Sequence, residues 1–313
     1  MRIAILDDYQ NVAREFADWG SLDGEVVVFT RPFTGADDIV RNLAGFDVLV
    51  AMRERTPFPA EVLERLPDLR LLVTTGPRNA AIDVAAARRL GVTVSGTGYD
   101  ASPTAELTWA LILGAVRNLA REAESMRTGG WQLTVGTGLR GSTLGLLGLG
   151  SLGSRVARVG QAFGMETVAW SQNLTAAAAQ EHGVRAVSKE ELFASADVLS
   201  VHLVLSDRTR GLVGAEQLRS MKPTALLVNT SRGPIVDTDA LVEALAEQQI
   251  GGAAIDVYDT EPLPADHPLR TLPTVLATPH IGYVTRELYE TFYRGAVEDI
   301  AAFRAGAPLR VLT

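Results

Sequence analysis

Short apolar runs rich in Val, Ile and Leu alternate along this chain with segments whose apolar residues recur every three or four positions. The runs at 2–6, 25–29, 46–52, 69–75 and 92–95 read as buried strands. Between them, 11–19, 36–43, 60–66 and 82–90 carry the helical period, and Gly20, Gly45 and Gly91 supply helix-ending residues. Alternating βα units of this kind predict a parallel sheet covered by helices on both faces. A longer helical pattern starts at Ser102-Pro103-Thr104, with Ser102 or Thr104 as cap and Pro103 in the first turn, and is expected to cross to a second domain. Residues 128–141 are glycine-rich and without period, which predicts a surface loop anchored by Trp131.

From residue 143 the alternation restarts. Strands are predicted at 143–147, 166–170, 197–204, 224–230, 252–257 and 275–277, and helices at 175–182, 188–194, 215–221 and 239–248. Ser188 followed by Glu191 reads as a capping box. A final helix over 286–305 has Leu288, Phe292, Ala296 and Ile300 on one face and is expected to return to the first domain. The fold class is therefore α/β, with two doubly wound parallel sheets. One is flavodoxin-like over 1–99 and 287–313, and the other is Rossmann-like over 100–286. Two crossings between them predict a cleft, a common place for ligands.

The most informative stretch runs from 143 to 164. Its strand leads into Gly148-Leu149-Gly150-Ser151-Leu152-Gly153, and Leu152, Val156, Val159 and Phe163 continue at helical spacing. In a dinucleotide-binding unit the first glycine makes the turn, the second lets the backbone approach a pyrophosphate, and the third lets helix pack on strand. The helix N-terminus then offers unpaired N–H groups and partial positive charge to the anion.

Composition narrows the field. The 313 residues are 47% hydrophobic and 21% charged, which predicts packed cores, and the formal net charge of −8 comes with no basic run, which excludes a nucleic-acid binder relying on phosphate neutralisation. Zero cysteines exclude disulfides, thiolate catalysis and cysteine-ligated zinc; no metal site is predicted. Met1-Arg2 enters directly into a short strand, and no apolar run approaches membrane-spanning length, so a cytoplasmic protein without membrane contact is expected.

In open α/β sheets, ligands gather at the carboxyl ends of strands. Three such ends are chemically unusual: Asn229-Thr230-Ser231-Arg232-Gly233, Tyr258-Asp259-Thr260-Glu261-Pro262 and Thr278-Pro279-His280-Ile281-Gly282. Hydride exchange with a 2-oxo or 2-hydroxy acid needs an oriented carboxylate and a mobile proton. Arg232 offers a planar, permanently charged fork for the first, and His280, supported by Glu261, offers the second.

With those motifs in order, the chain resembles the D-isomer-specific 2-hydroxyacid dehydrogenases over nearly its whole length. The resemblance rests on Gly148 to Gly153, Asn229 to Asp237, Asp256-Val257 through Glu261-Pro262, and Pro279 to Gly282. It implies catalytic Arg232, Glu261 and His280. It also implies NAD(H) or NADP(H) held by Gly148, Gly150, Ser151, Leu152, Gly153, Ser171, Gln172, His202, Thr209, Thr230, Ser231, Asp256 and Gly282, with Asp256 at the nicotinamide carboxamide. A small 2-oxo acid would meet Arg53, Gly76, Pro77 and Arg78 besides Arg232 and His280. A homodimer held through the dinucleotide domain is implied, with the Trp131 loop and the helix before it as candidates.

Two departures from the family pattern stand out. Pro77 has no N–H to give a substrate carboxylate, so Arg78 is expected to replace it or to select a second anionic group. After the strand at 166–170, Ser171 occupies the position where an acid would hold the ribose hydroxyls and repel a 2′-phosphate, and no Arg or Lys follows before Ala179. Relaxed use of both nicotinamide cofactors is the expectation. The same scaffold resembles dinucleotide-sensing corepressors, an alternative against which the intact Arg, Glu and His argue. Phosphoglycerate dehydrogenase with serine control is not expected, since the sequence ends at Thr313 with no appended regulatory domain.

Overall fold

All pairings within the two sheets are parallel, as buried runs without polar alternation require. The computed structural model describes residues 1–313. They divide into two units, Met1–Asp100 with Val284–Thr313, and Ala101–Tyr283.

The first unit contains β1 (Arg2–Ile5), β2 (Glu25–Val28), β3 (Val48–Ala51), β4 (Leu71–Thr74) and β5 (Thr93–Gly96), in the order β2-β1-β3-β4-β5. This is the flavodoxin-like order. Leu49 and Leu72 face a core with Ile39, Leu43 and Val62 from the covering helices and Phe58 from the loop before one of them. The helix Arg286–Arg304 packs on β4 and β5 and buries Phe292, Tyr293, Ala296 and Ile300 completely. Beyond it, Val311 bridges Ser95 antiparallel, and the Leu312 N–H donates to Val94 O at 2.8 Å. The predicted helix over 11–19 shortens to Ala13–Phe16, followed by a 3₁₀ turn at Trp19–Leu22. The buried Asp8 carboxylate accepts from the N–H groups of Val12 and Ala13, which starts the helix late, and Ala17 is extended.

The second unit holds β6 (Thr143–Leu147), β7 (Glu166–Trp170), β8 (Arg185–Ala186), β9 (Val198–Val201), β10 (Leu226–Asn229), β11 (Gly252–Ile255) and β12 (Val275–Ala277). Their order, β12-β11-β10-β9-β6-β7-β8, reverses direction of progression between β6 and β9, the switch point of a Rossmann sheet. The two-residue β8 and the helix Leu119–Arg127 have no counterpart in the sequence prediction. No helix is long and apolar enough to cross a membrane.

Three local expectations are corrected. Neither Ser102 nor Thr104 caps the helix Ser102–Val116: the cap is Ala101 without a side-chain bond, and Ser102 Oγ instead accepts from Arg155 Nη1 at 2.7 Å. Only half of the 188–191 capping box forms. Ser188 Oγ accepts from the Glu191 N–H at 3.0 Å, but the Glu191 carboxylate turns to Arg185 at 2.5 Å. Trp131 does not anchor its loop, being 75% exposed. The Glu122 carboxylate does so, accepting from the N–H groups of Leu133 and Thr134 and from the Thr134 hydroxyl.

Candidate active site

The glycine turn after β6 separates the roles of its three glycines. Gly148 has φ of +106°, and a Cβ there would sit 2.8 Å from His202 O. A Cβ on Gly153 would collide with Gly148 O, so the helix Ser151–Ala162 leaves the turn only because residue 153 is glycine. A Cβ on Gly150 meets nothing within 4 Å. Gly150 is also the helix cap and makes no side-chain cap bond, so neither sterics nor capping explains a glycine there. An open approach to uncapped helix N–H groups is what a pyrophosphate requires, and the turn fits one. Ser151 and Leu152 open this helix.

His202 lies under the same turn. Its Nε2 is 2.9 Å from Ser200 Oγ, and burial pushes its pKa down to about 4, so the imidazole is neutral. After β7, Ser171 is partly buried and the chain turns at once, Leu174 N–H donating to Ser171 O, with Gln172 exposed. Thr209 uses its hydroxyl inside its own loop, donating to Val204 O at 2.7 Å and accepting from the Ser206 N–H. Thr230 shares a 2.8 Å bond with Thr108.

The ends of β10, β11 and β12 lie side by side. Past β10, Asn229 folds the loop on itself: Oδ1 accepts from the Ser231 N–H and Nδ2 donates to Arg232 O, both at 3.0 Å. Ser231 Oγ donates to Leu203 O, and Arg232 Nη1 donates to Ser231 O at 2.7 Å. A Cβ on Gly233 would run into the backbone of Tyr258 and Asp259. That close approach joins the arginine loop to the loop that carries Glu261.

There, Glu261 Oε1 accepts from the Tyr258 N–H at 2.9 Å, and Oε2 lies 2.5 Å from His280 Nδ1. The His280 and Glu261 side chains keep 19% and 29% of their full exposure. Tyr258 donates its hydroxyl to Thr278 O at 2.8 Å, and burial holds its pKa up at about 12, so it stays a neutral donor. His280 has φ of +54°, an unusual value for a residue with a Cβ. The buried Asp256 maintains it. Its Oδ1 accepts from Thr278 Oγ1 at 2.6 Å and from the Ile281 N–H, and its Oδ2 accepts from the Gly282 N–H, both at 2.9 Å. Burial raises the Asp256 pKa, opposed by these donors. The sequence offered Asp256 only as a cofactor contact; its hydrogen bonds show a carboxyl that shapes the histidine loop.

The first unit carries the other predicted residues. Gly76 has φ of +90°, and its N–H donates to Thr97 Oγ1 at 2.7 Å. The space beside its Cα is filled by the Arg53 guanidinium, whose Nη1 donates to Thr75 O at 2.8 Å and whose Cζ lies 5.2 Å from the Tyr99 ring centroid. Buried Asn79 ties the loop down through Arg53 O and Thr74 Oγ1. With Gly76 engaged and Pro77 lacking an N–H, the first amide of this loop left for a ligand is that of Arg78, whose side chain is exposed. Thr97 escaped the sequence reading because nothing in the pattern marks a hydroxyl that receives an amide 21 residues away.

Comparison with known proteins decides the family. The family model described as D-isomer specific 2-hydroxyacid dehydrogenase, NAD binding domain, matches residues 109–282. The chain belongs to this family. It is 42% identical over 256 residues to a glyoxylate reductase of Aeropyrum pernix, covering 79% of this chain and 76% of that protein. A glycerate dehydrogenase of Methylorubrum extorquens is 32% identical over 317 residues, 95% of this chain and 98% of the relative. Among solved structures, a phosphoglycerate oxidoreductase from Vibrio cholerae superposes with a TM-score of 0.93 at 42% identity, covering 98% of this chain and 100% of that one. As a family member the chain is an NAD(P)-dependent dehydrogenase.

Proposed function

We propose that this family member reduces a small 2-oxo acid to the D-2-hydroxy acid through Arg232, Glu261 and His280. The observation that carries the assignment is the 2.5 Å contact between Glu261 and His280 Nδ1, on a strand end next to the arginine loop. Glu261 commits Nδ1, so His280 presents Nε2 to the substrate and gives its proton to the carbonyl oxygen there. Arg232 clamps the substrate carboxylate and polarises the carbonyl. When bound, the reduced nicotinamide supplies the hydride that the carbonyl carbon takes up.

The cofactor assignment extends to Gly148, Gly150, Ser151, Leu152 and Gly153 at the pyrophosphate. Ser171 and Gln172 stand at the ribose, and His202, Thr209, Thr230, Ser231, Asp256 and Gly282 line the remaining path. Arg53, Gly76, Pro77 and Arg78 are assigned to substrate, with Arg78 making up for the missing amide of Pro77. A panel of 2-oxo acids followed by NAD(P)H absorbance tests the reading. H280A is expected to lower kcat by about 10² to 10⁴-fold while dinucleotide affinity stays within twofold. Unchanged turnover removes His280 from the mechanism. R78A is expected to raise KM with little change in kcat in the same assay.

A homodimer is the second part of the proposal. The helix Leu119–Arg127 buries no residue, and with the loop after it exposes Leu119, Met126, Trp131, Leu133 and Val135, the last at 96%. Apolar side chains so concentrated on one segment fit a self-association surface. Sedimentation of the chain and of W131E tests it; a monomeric wild type at micromolar concentration refutes it.

A further inference from the structure

The sequence around β7 leaves the adenosine end of the cofactor site undecided, because Ser171 replaces an acid and no cation follows locally. The fold supplies a cation from elsewhere. Strand β8 pairs parallel with β7, Val168 beside Arg185 and Ala169 beside Ala186, and the Val187 N–H donates to Ala169 O. Continued two residues past Ala186, this register brings Ser188 level with Ser171, with Lys189 next in line on the adjacent chain. Neighbouring parallel strands are about 4.8 Å apart, and a lysine stem spans that gap.

Of the two cations on this edge, Lys189 is the one without a salt bridge. Arg185, the other permanent cation on this edge, is committed to Glu191 at 2.5 Å. Glu190 is held mainly by other groups: its own amide and the Ser188 hydroxyl keep its carboxyl below the usual carboxylate range, with the Lys189 charge the smallest contribution. Lys189 is half-buried and forms no ion pair. On the β7 side, Ser171 presents a hydroxyl where a carboxylate would repel an anion. A hydroxyl just past β7 and an ammonium at the start of the helix that follows β8, beside the position reserved for the adenosine ribose, suit a phosphate monoester on that ribose.

We propose that Ser171 and Lys189 form a 2′-phosphate subsite, so that the chain favours NADP(H) over NAD(H). The inference rests on the dinucleotide reading of the glycine turn, and the test separates the two. Calorimetric titration of the intact protein with 2′,5′-ADP and with 5′-AMP reads the subsite without turnover. Wild type is expected to bind 2′,5′-ADP at least about tenfold more tightly, an advantage that shrinks with added salt. K189Q is expected to lose most of that advantage while its affinity for 5′-AMP is unchanged, and S171D is expected to reverse it. Equal affinities in wild type, or an advantage that survives K189Q, overturn the subsite but leave the dinucleotide site standing. Failure of both nucleotides to bind overturns both.

Discussion

Two glycine turns follow central parallel strands, one after β4 at Gly76 and one after β6 at Gly148. Both have positive φ, and both come at the strand end where α/β sheets place ligands. They are built for opposite purposes. At Gly76 the space a side chain would occupy is filled by the Arg53 guanidinium, and the amide is taken by Thr97. In the β6 turn Gly148 and Gly153 are closed by backbone, while Gly150 faces open space. A glycine at a strand end therefore marks either a ligand's approach or a neighbouring side chain's. The neighbours distinguish the two, not the glycine.

Substitutions sharpen the contrast. G153A places a Cβ on Gly148 O and is expected to cost more than about 3 kcal/mol, enough to lose the cooperative unfolding transition of the second unit on thermal melting. The next effect comes from His202 beneath the turn. Its pKa is about 4 in the fold against an ordinary value of 6.5, so the unfolded chain binds a proton first as pH falls. Stability is full above pH 6.5 and declines toward pH 4, by up to about 3 kcal/mol. H202N is expected to flatten that decline in denaturant titrations run across the window. G76A is expected to cost about 2 kcal/mol, combining strained φ with the arginine clash. In an R53A background the cost should fall, since the clash is gone and only the backbone term remains; equal costs would deny that Arg53 fills the space. G150V carries the smallest effect: melting unchanged and dinucleotide affinity weakened about tenfold by calorimetry. A G150V protein that melts early breaks the comparison, because Gly150 would then be structural too.

What the sequence made legible was whatever short-range pattern encodes. Apolar runs located the longer strands, and the residues past β10, β11 and β12 named Arg232, Glu261 and His280, because strand-end motifs are contiguous in the chain. Asp256 was found but its bonds to the His280 loop were not, since they join residues 22 to 26 positions apart. The same distance hid the Thr97 bond to Gly76. Strand β8 escaped because two residues carry no period, and the register of its pairing with β7 is what the proposed Ser171–Lys189 subsite is built on. Trp131 misled because an aromatic in a polar loop resembles an anchor, whereas Glu122 does the anchoring from a helix whose apolar residues are exposed.

The split of the first unit into Met1–Asp100 and Val284–Thr313 sets an order of events during synthesis. Strands β1 to β5 leave the ribosome before the second unit, yet the helix that buries Phe292, Tyr293 and Ile300 against β4 and β5 is made after it. At about 5–20 residues per second, one face of the nascent sheet waits on the order of 10–40 s for its cover. The inserted second unit meets no such delay, because its sheet and covering helices are contiguous in the chain. Of the two units, the one begun first is thus the one completed second, and the exposed interval belongs to it.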